Sequence, residues 1–229
     1  MNAYVINLSH RKDRWASVLL QSELLPFEIH RFEATDSRDF GGSEISLLPA
    51  AVLACFDSHK RLLGEFLKTD ENFALILEDD FTIGKSLKEF DFENLCSMGF
   101  DFIQIGFLRT TIFQHISIIN RNFFDFLYKT GCCLISLPFT RLILRPFSSK
   151  ILLKEQTGVS RRIVLHDVRP GTHAYIVSRK LATAIQKINS PAFLSADGLY
   201  IALGPLRTFK MGRLRKSLIG QSNSPSSIL

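Results

Sequence analysis

Phe73-Ala74-Leu75-Ile76-Leu77-Glu78-Asp79-Asp80 is the stretch that decides how this chain is read: an apolar run that ends abruptly in three acids. An unbroken apolar run of this length fits a strand buried on both faces, since a half-exposed strand would alternate. Such a strand delivers whatever follows it to the carboxyl edge of a sheet, where open α/β folds bind ligands. Three adjacent carboxylates repel one another there and lose hydration. A hard divalent cation, Mg²⁺ or Mn²⁺, relieves both costs. The same residues also fit a solvated acidic turn that opens the next element.

Working outward, Ala3 to Leu8 reads as a first strand, with Ser9 as N-cap of a helix over about 11–24. The first turn of that helix is dense in cations: His10, Arg11, Lys12 and Arg14. Positive charge at a helix N-terminus opposes the macrodipole, so either a bound anion or a merely exposed basic face accounts for it. A second strand over 27–34 ends at Thr35-Asp36, and a polar loop over 37–49 carries Gly41-Gly42. The helix expected over 49–68 places Val52, Phe56, His59, Leu63 and Phe66 on one face. His59, beside Ser58, is either a buried histidine satisfied by a neighbour or a side chain turned to a ligand.

Further strands are expected over 101–106 and 171–178, the latter capped by Ser178 into a helix over 179–188. Asp197 follows the helix-breaking Pro191. Between 107 and 165 the periodicity weakens, and Phe123–Phe147 fits either core or an apolar-plus-basic surface lying on a membrane. Residues 217–229 read as a polar, loosely ordered tail. With no internal repeat and no convincing linker, 1–229 is expected to form one domain, 107–165 being its variable acceptor region.

Composition narrows the class. The chain has 229 residues, 46% of them hydrophobic and twenty of them Phe, enough for one well-filled α/β domain. No window of 18 residues is free of charge, so no membrane-spanning helix is expected. The opening lacks the features of a signal peptide, which points to a cytoplasmic protein. Cys55, Cys96, Cys132 and Cys133 show no Cys-x-x-Cys or histidine spacing, so reduced thiols and no zinc site are expected. The net charge is +6, with basic residues gathered at 141–145, 150–162 and 207–216. That distribution suits a polyanionic ligand, an anionic membrane surface or a nucleic acid. The aromatic-interleaved signatures of RNA-binding modules are not visible, so no nucleic-acid partner is expected.

Four landmarks in order make the chain similar to glycosyltransferase family 25, the bacterial lipooligosaccharide galactosyltransferases and their collagen-modifying relatives. They are Val5-Ile6-Asn7-Leu8 with Arg11 and Arg14; Ala54-Cys55-Phe56-Asp57-Ser58-His59; Leu75 to Asp80; and Gly171-Thr172-His173-Ala174-Tyr175. Gln221 and the serines after it look like the family's closing segment. Ala54 and Asp57 depart from the usual glycine and apolar residue, and Ser195-Ala196-Asp197 replaces the common Pro-Val-Asp.

The resemblance implies an α/β, GT-A-like nucleotide-diphospho-sugar transferase fold, its mixed, mostly parallel sheet flanked by helices. It implies a nucleotide-sugar donor, usually UDP-galactose, and a lipid-linked oligosaccharide acceptor that brings the protein to the inner face of the cytoplasmic membrane. Transfer would invert the anomeric carbon. On this reading Asp80 contacts Mn²⁺ or Mg²⁺, Glu78 reaches the ribose, and Asp79 supports the turn or the donor sugar. Asn7, Arg11 and Asp36 would line uridine and diphosphate. Asp197 would be the base, His173 would contact the acceptor or serve as a third metal ligand, and His59 and Ser58 would contact the acceptor or support residues that do. The rival reading is a non-catalytic sugar-nucleotide or glycan-binding relative. A receiver-type signalling domain fits poorly, since it would carry its acid pair much nearer the N-terminus.

Overall fold

Successive residues of a strand point to opposite faces, and the first strand shows what that does here. In β1 (Asn2–Asn7), Ala3 and Val5 enter one core while Tyr4 and Ile6 enter another. β3 (Phe73–Glu78) repeats the pattern, with Leu75 and Leu77 on the first side and Ala74 and Ile76 on the second. All four of these β3 residues are fully buried. The apolar run is unbroken because helices cover both faces of the sheet.

The computed structural model describes residues 1–39, 48–84, 87, 90–108, 150–154, 160–188 and 194–222. On one face, α1 (Lys12–Ser22) and α3 (Phe92–Ser97) contribute Val18, Phe92 and Leu95 to the core. On the other, α2 (Ala50–Leu67), α4 (Arg179–Gln186) and α5 (Ala196–Leu206) contribute Leu62, Leu63, Phe66, Leu181, Ile185, Tyr200 and Ile201. The remaining strands are β2 (Ile29–Glu33), β4 (Phe81–Ile83), β5 (Phe102–Gly106), β6 (Lys150–Lys154), β7 (Ser160–Leu165), β8 (Ala174–Ser178), β9 (Met211–Leu214) and β10 (Ile219–Gln221).

The sheet runs β2-β1-β3-β8-β5-β9-β7-β6, with β10 pairing β4 and β5 off that path. β2, β1 and β3 are parallel, so their carboxyl ends share one edge. β8 enters antiparallel between β3 and β5, which brings the residues just before it, Gly171 to His173, to that same edge. β9 is parallel to β5, and β7 and β6 continue antiparallel. The sheet is therefore mixed, parallel in its N-terminal block.

Several local expectations change. Ser9 does not cap α1; Arg11 holds the N-cap position without a side-chain cap, after a turn closed by Arg11 N–H on Leu8 O at 2.9 Å. Ser178 does cap α4, its Oγ accepting from Leu181 N–H at 3.2 Å. β4, β9 and β10 are additions. β9 lies within a basic run because Arg213 turns inward, its guanidinium donating to Asp167 at 2.6 and 3.0 Å. The expected loose tail from residue 217 is, over 217–222, part of the fold: Ile219 is fully buried and β10 pairs with β4. The apolar Ile219 overrides the polar composition around it. Gly41-Gly42, Phe123–Phe147, Cys132, Cys133 and Pro191 lie outside the described residues. No helix among the described residues is long and apolar enough to cross a membrane.

Candidate active site

The three acids after β3 leave the same strand end and meet three different environments. Glu78 Oε1 accepts from Thr172 Oγ1 at 2.7 Å and stands 3.4 Å from His59 Nε2, while its N–H donates to His173 O. Burial works to raise the Glu78 carboxyl, but His59 and the Thr172 hydroxyl together hold it below its usual value. Asp79 is buried and doubly held: Arg14 Nη1 donates to Oδ1 at 2.7 Å and Asn7 Nδ2 to Oδ2 at 2.6 Å. Asp80 Oδ2 accepts from Gln221 Nε2 at 2.8 Å, whereas its buried Oδ1 has no hydrogen-bond partner among the described residues. Burial and the neighbouring Glu78 charge push the Asp80 carboxyl up, against the pull of Gln221 and Arg14.

Asn7, at the end of β1, does more than face the cleft. Its Oδ1 accepts from Arg31 at 2.5 and 3.0 Å while its Nδ2 serves Asp79 and Arg11 O, which locks β1, β2, α1 and the acid turn together. Arg11 turns to Asp13 at the surface, at 2.8 Å, and draws that carboxyl down to about 2. Asp36 is gripped by Arg38 at 2.5 Å with His10 at 3.3 Å, and its carboxyl also falls to about 2, chiefly through Arg38. His10, Arg11 and Arg14 of this basic stretch thus face anions of the protein itself, and it is Arg14 that hydrogen-bonds the acid cluster.

The second landmark packs behind the acids. Ser58 Oγ donates to Ala54 O and accepts from Thr35 N–H at 2.8 Å, fastening the end of β2 to α2. Asp57 accepts from Thr35 Oγ1 at 2.5 Å, so its departure from the family pattern serves the same joint. His59 is buried, its Nδ1 at 2.9 Å from Tyr175 Oη, which in turn accepts from Tyr200 Oη at 3.3 Å. His173 is buried with Nε2 at 3.4 Å from Ile219 O, and Gly106 makes room for its ring: a Cβ there would sit 2.8 Å from Nε2.

Asp197 opens α5. Its Oδ1 accepts from Ser195 Oγ at 2.5 Å and Gly198 N–H at 2.9 Å, and its Oδ2 from Gly171 N–H at 3.3 Å. The 171–173 segment therefore touches Asp197 with one residue and Glu78 with the next. Asp197 and Asp80 both bear on Cys55, whose thiol is pushed well up by burial first and by the charges of Glu78, Asp197 and Asp80 after it. Among the expected site residues, the structure gathers Asn7, Glu78, Asp79, Asp80, His59, His173, Ser58 and Asp197 around one edge. Arg11 pairs with Asp13, and Asp36 with Arg38 and His10. Arg14, Thr172, Tyr175 and Gln221 join that edge.

An open cleft lies over this edge and is lined by Ile6, Thr35, Ser37, Ala51, Cys55, His59, the three acids and Gln221, among others. A hard divalent cation fits Asp80, because a buried carboxylate oxygen without a partner is the donor such an ion takes. Cys55, His59 and Glu78 bring three potential ligand atoms within 4.8 Å of one another. Cys55 and His59 are four apart, a helical spacing that a search for paired cysteines passes over.

Comparisons with known proteins bear on this geometry. A solved structure described as "Crystal Structure of A197 from STIV" aligns with 96% of this chain and 83% of its own, at 15% identity and a TM-score of 0.42, too loose a likeness to argue from. No curated protein matched significantly. The profile of glycosyltransferase family 25 (LPS biosynthesis protein) matches residues 1–200, which takes in β1, the Cys55–His59 turn of α2, the acid cluster, the 171–175 segment and Asp197. The chain belongs to glycosyltransferase family 25.

Proposed function

We propose that this protein is an inverting, cation-dependent glycosyltransferase of GT-A type that moves galactose from UDP-galactose onto a lipid-linked oligosaccharide. One observation carries the reading. Of three acids at the carboxyl edge, Glu78 and Asp79 are each held by two partners, and Asp80 keeps a buried oxygen unpaired beside the cleft. A turn built only for solubility would leave its carboxylates in water.

Asp80 would hold Mn²⁺ or Mg²⁺, and the ion's chemistry when bound is Lewis-acid stabilisation of the departing nucleoside diphosphate. The residues around it orient. Asp79, tied to Arg14 and Asn7, fixes the turn, and Glu78 would take the ribose hydroxyls. The bond from the anomeric carbon to the β-phosphate oxygen breaks as the acceptor hydroxyl attacks from the opposite face. Asp197 takes the hydroxyl proton on Oδ2, the oxygen less firmly held, with Oδ1 fixed by Ser195 and Gly198.

Thermal unfolding with and without UDP-galactose and Mn²⁺ tests the donor. At about 100 times its dissociation constant the ligand should stabilise the fold by about 2.7 kcal/mol. Asp197→Asn should lower turnover by about 10²–10⁴-fold while donor binding persists. Loss of donor binding in that variant removes Asp197 from the base role, and full activity in excess chelator removes the cation.

A further inference from the structure

Cys55 and His59 stand four residues apart on α2, so their side chains lie one above the other on a single face. Glu78 reaches the same point from the end of β3. The three donor atoms lie within 4.8 Å of one another. His59 is 3% exposed, and its Nε2 stands 3.4 Å from Glu78 Oε1, with no hydrogen bond made by it among the described residues. The far nitrogen, Nδ1, is fixed at 2.9 Å by Tyr175 Oη. An imidazole fixed at one nitrogen by a hydrogen bond, with the other facing a carboxylate, is how proteins aim a metal-binding histidine.

We propose that Cys55 Sγ, His59 Nε2 and a Glu78 carboxylate oxygen form a three-ligand site for a borderline-soft divalent ion of the Zn²⁺ class, separate from the all-oxygen site at Asp80. Sulfur and imidazole nitrogen select such ions, whereas Mg²⁺ requires oxygen. Bond lengths near 2.0–2.3 Å put the ligands of a tetrahedral zinc about 3–4 Å apart, so the donors close by about an ångström on binding. Cys55 and Glu78, both only partly buried, can supply that movement by side-chain rotation. On binding, the thiol proton leaves to solvent and His59 takes the tautomer in which Nδ1–H donates to Tyr175 Oη. Three protein ligands leave a fourth position open, and all three line the cleft. Water or a substrate oxygen can occupy it, as in zinc sites that keep an open coordination position. One consequence rests on the proposed function: an ion that takes Glu78 competes with the ribose for it.

The site itself is tested without any sugar. The full chain, stripped with chelator, is titrated with Co²⁺ and followed by absorption. The expected result is a near-ultraviolet sulfur-to-cobalt charge-transfer band with the intense visible bands of a four-coordinate ion. Equimolar Zn²⁺ should bleach both, and a large excess of Mg²⁺ should leave them. Cys55→Ser should abolish the near-ultraviolet band, Cys96→Ser should retain it, and Tyr175→Phe should weaken binding by about 10–100-fold. If Cys55→Ser does not fold, Glu78→Gln replaces it and should lose the four-coordinate visible intensity. A wild-type protein without the band, a band that survives Cys55→Ser, or displacement by Mg²⁺ overturns the proposal. Failure of UDP-galactose to bind or react leaves it untouched.

Discussion

A single oxygen atom separates Asp80 from the two acids before it. Its Oδ1 is buried without a partner and its carboxyl is pushed up by burial and by Glu78, so the charged form is costly in the cation-free fold. Asp80→Asn should therefore raise the melting temperature of the cation-free protein by a few degrees, about 2–4 °C per kcal/mol at this size, while abolishing transfer. The pH dependence has a definite sign. A carboxyl raised in the folded state favours folding below its unfolded value, near pH 4. That contribution is lost as pH rises through the folded value. Glu78, held down, acts in reverse: its contribution is present above its unfolded value and is lost as pH falls through the folded one. The urea midpoint of Asp80→Asn relative to that of the parent should increase as pH rises across the acid range. At this scale the sequence shows where the acids are but not what holds them. Thr172 and Gln221 come 94 and 141 residues later than their carboxylate partners, and no local pattern links residues so far apart. Arg14 was within reach of inference, because a cation at the wrong end of a helix dipole needs a counter-charge, and Asp79 is that charge.

Elements were legible in proportion to how far their burial repeats. β3 announces itself by an unbroken apolar run and α2 by a stripe at helical spacing, and both are found within a residue or two of expectation. β4 and β10 are three residues each, too short for a period to register. β9 was masked by Arg213, whose burial depends on Asp167 in a different segment. Two substitutions examine elements directly. Ser178 both caps α4 and donates to Asp101 at 3.1 Å, so Ser178→Ala should cost about 1–2 kcal/mol, read from the urea midpoint. Gly106, at the end of β5, faces a tighter restriction. A Cβ there would lie 2.8 Å from both the Ala174 Cβ and His173 Nε2, and the Ala174 contact is anchored in a neighbouring strand. Gly106→Ala should destabilise by about 1–3 kcal/mol and displace the His173 ring, seen as a shift of its imidazole resonances.

The molecule as a whole is closed by β10. That strand pairs antiparallel with β4, meets β5 at Ile219, and sends Gln221 to Asp80. α1 fastens the other side of β4: Gln21 Nε2 donates to Phe81 O at 2.8 Å and its Oε1 accepts from Ile83 N–H at 2.9 Å. Gln221→Ala removes the hydrogen bond that holds the Asp80 carboxyl down, so the pH at which Mn²⁺ binding is half-maximal should move upward, measured by titrating Mn²⁺ at fixed pH steps. The same closure has a timetable. At synthesis rates of about 5–20 residues per second, the 141 residues between Asp80 and Gln221 correspond to a wait of roughly 7–28 s. During that interval Asp79 can already meet Asn7 and Arg14, which precede it. Asp80 has no Gln221, and β4 has no strand along its far edge. A growing chain therefore settles Asp79 early, and Asp80 receives its last neighbour only after translation has passed residue 221.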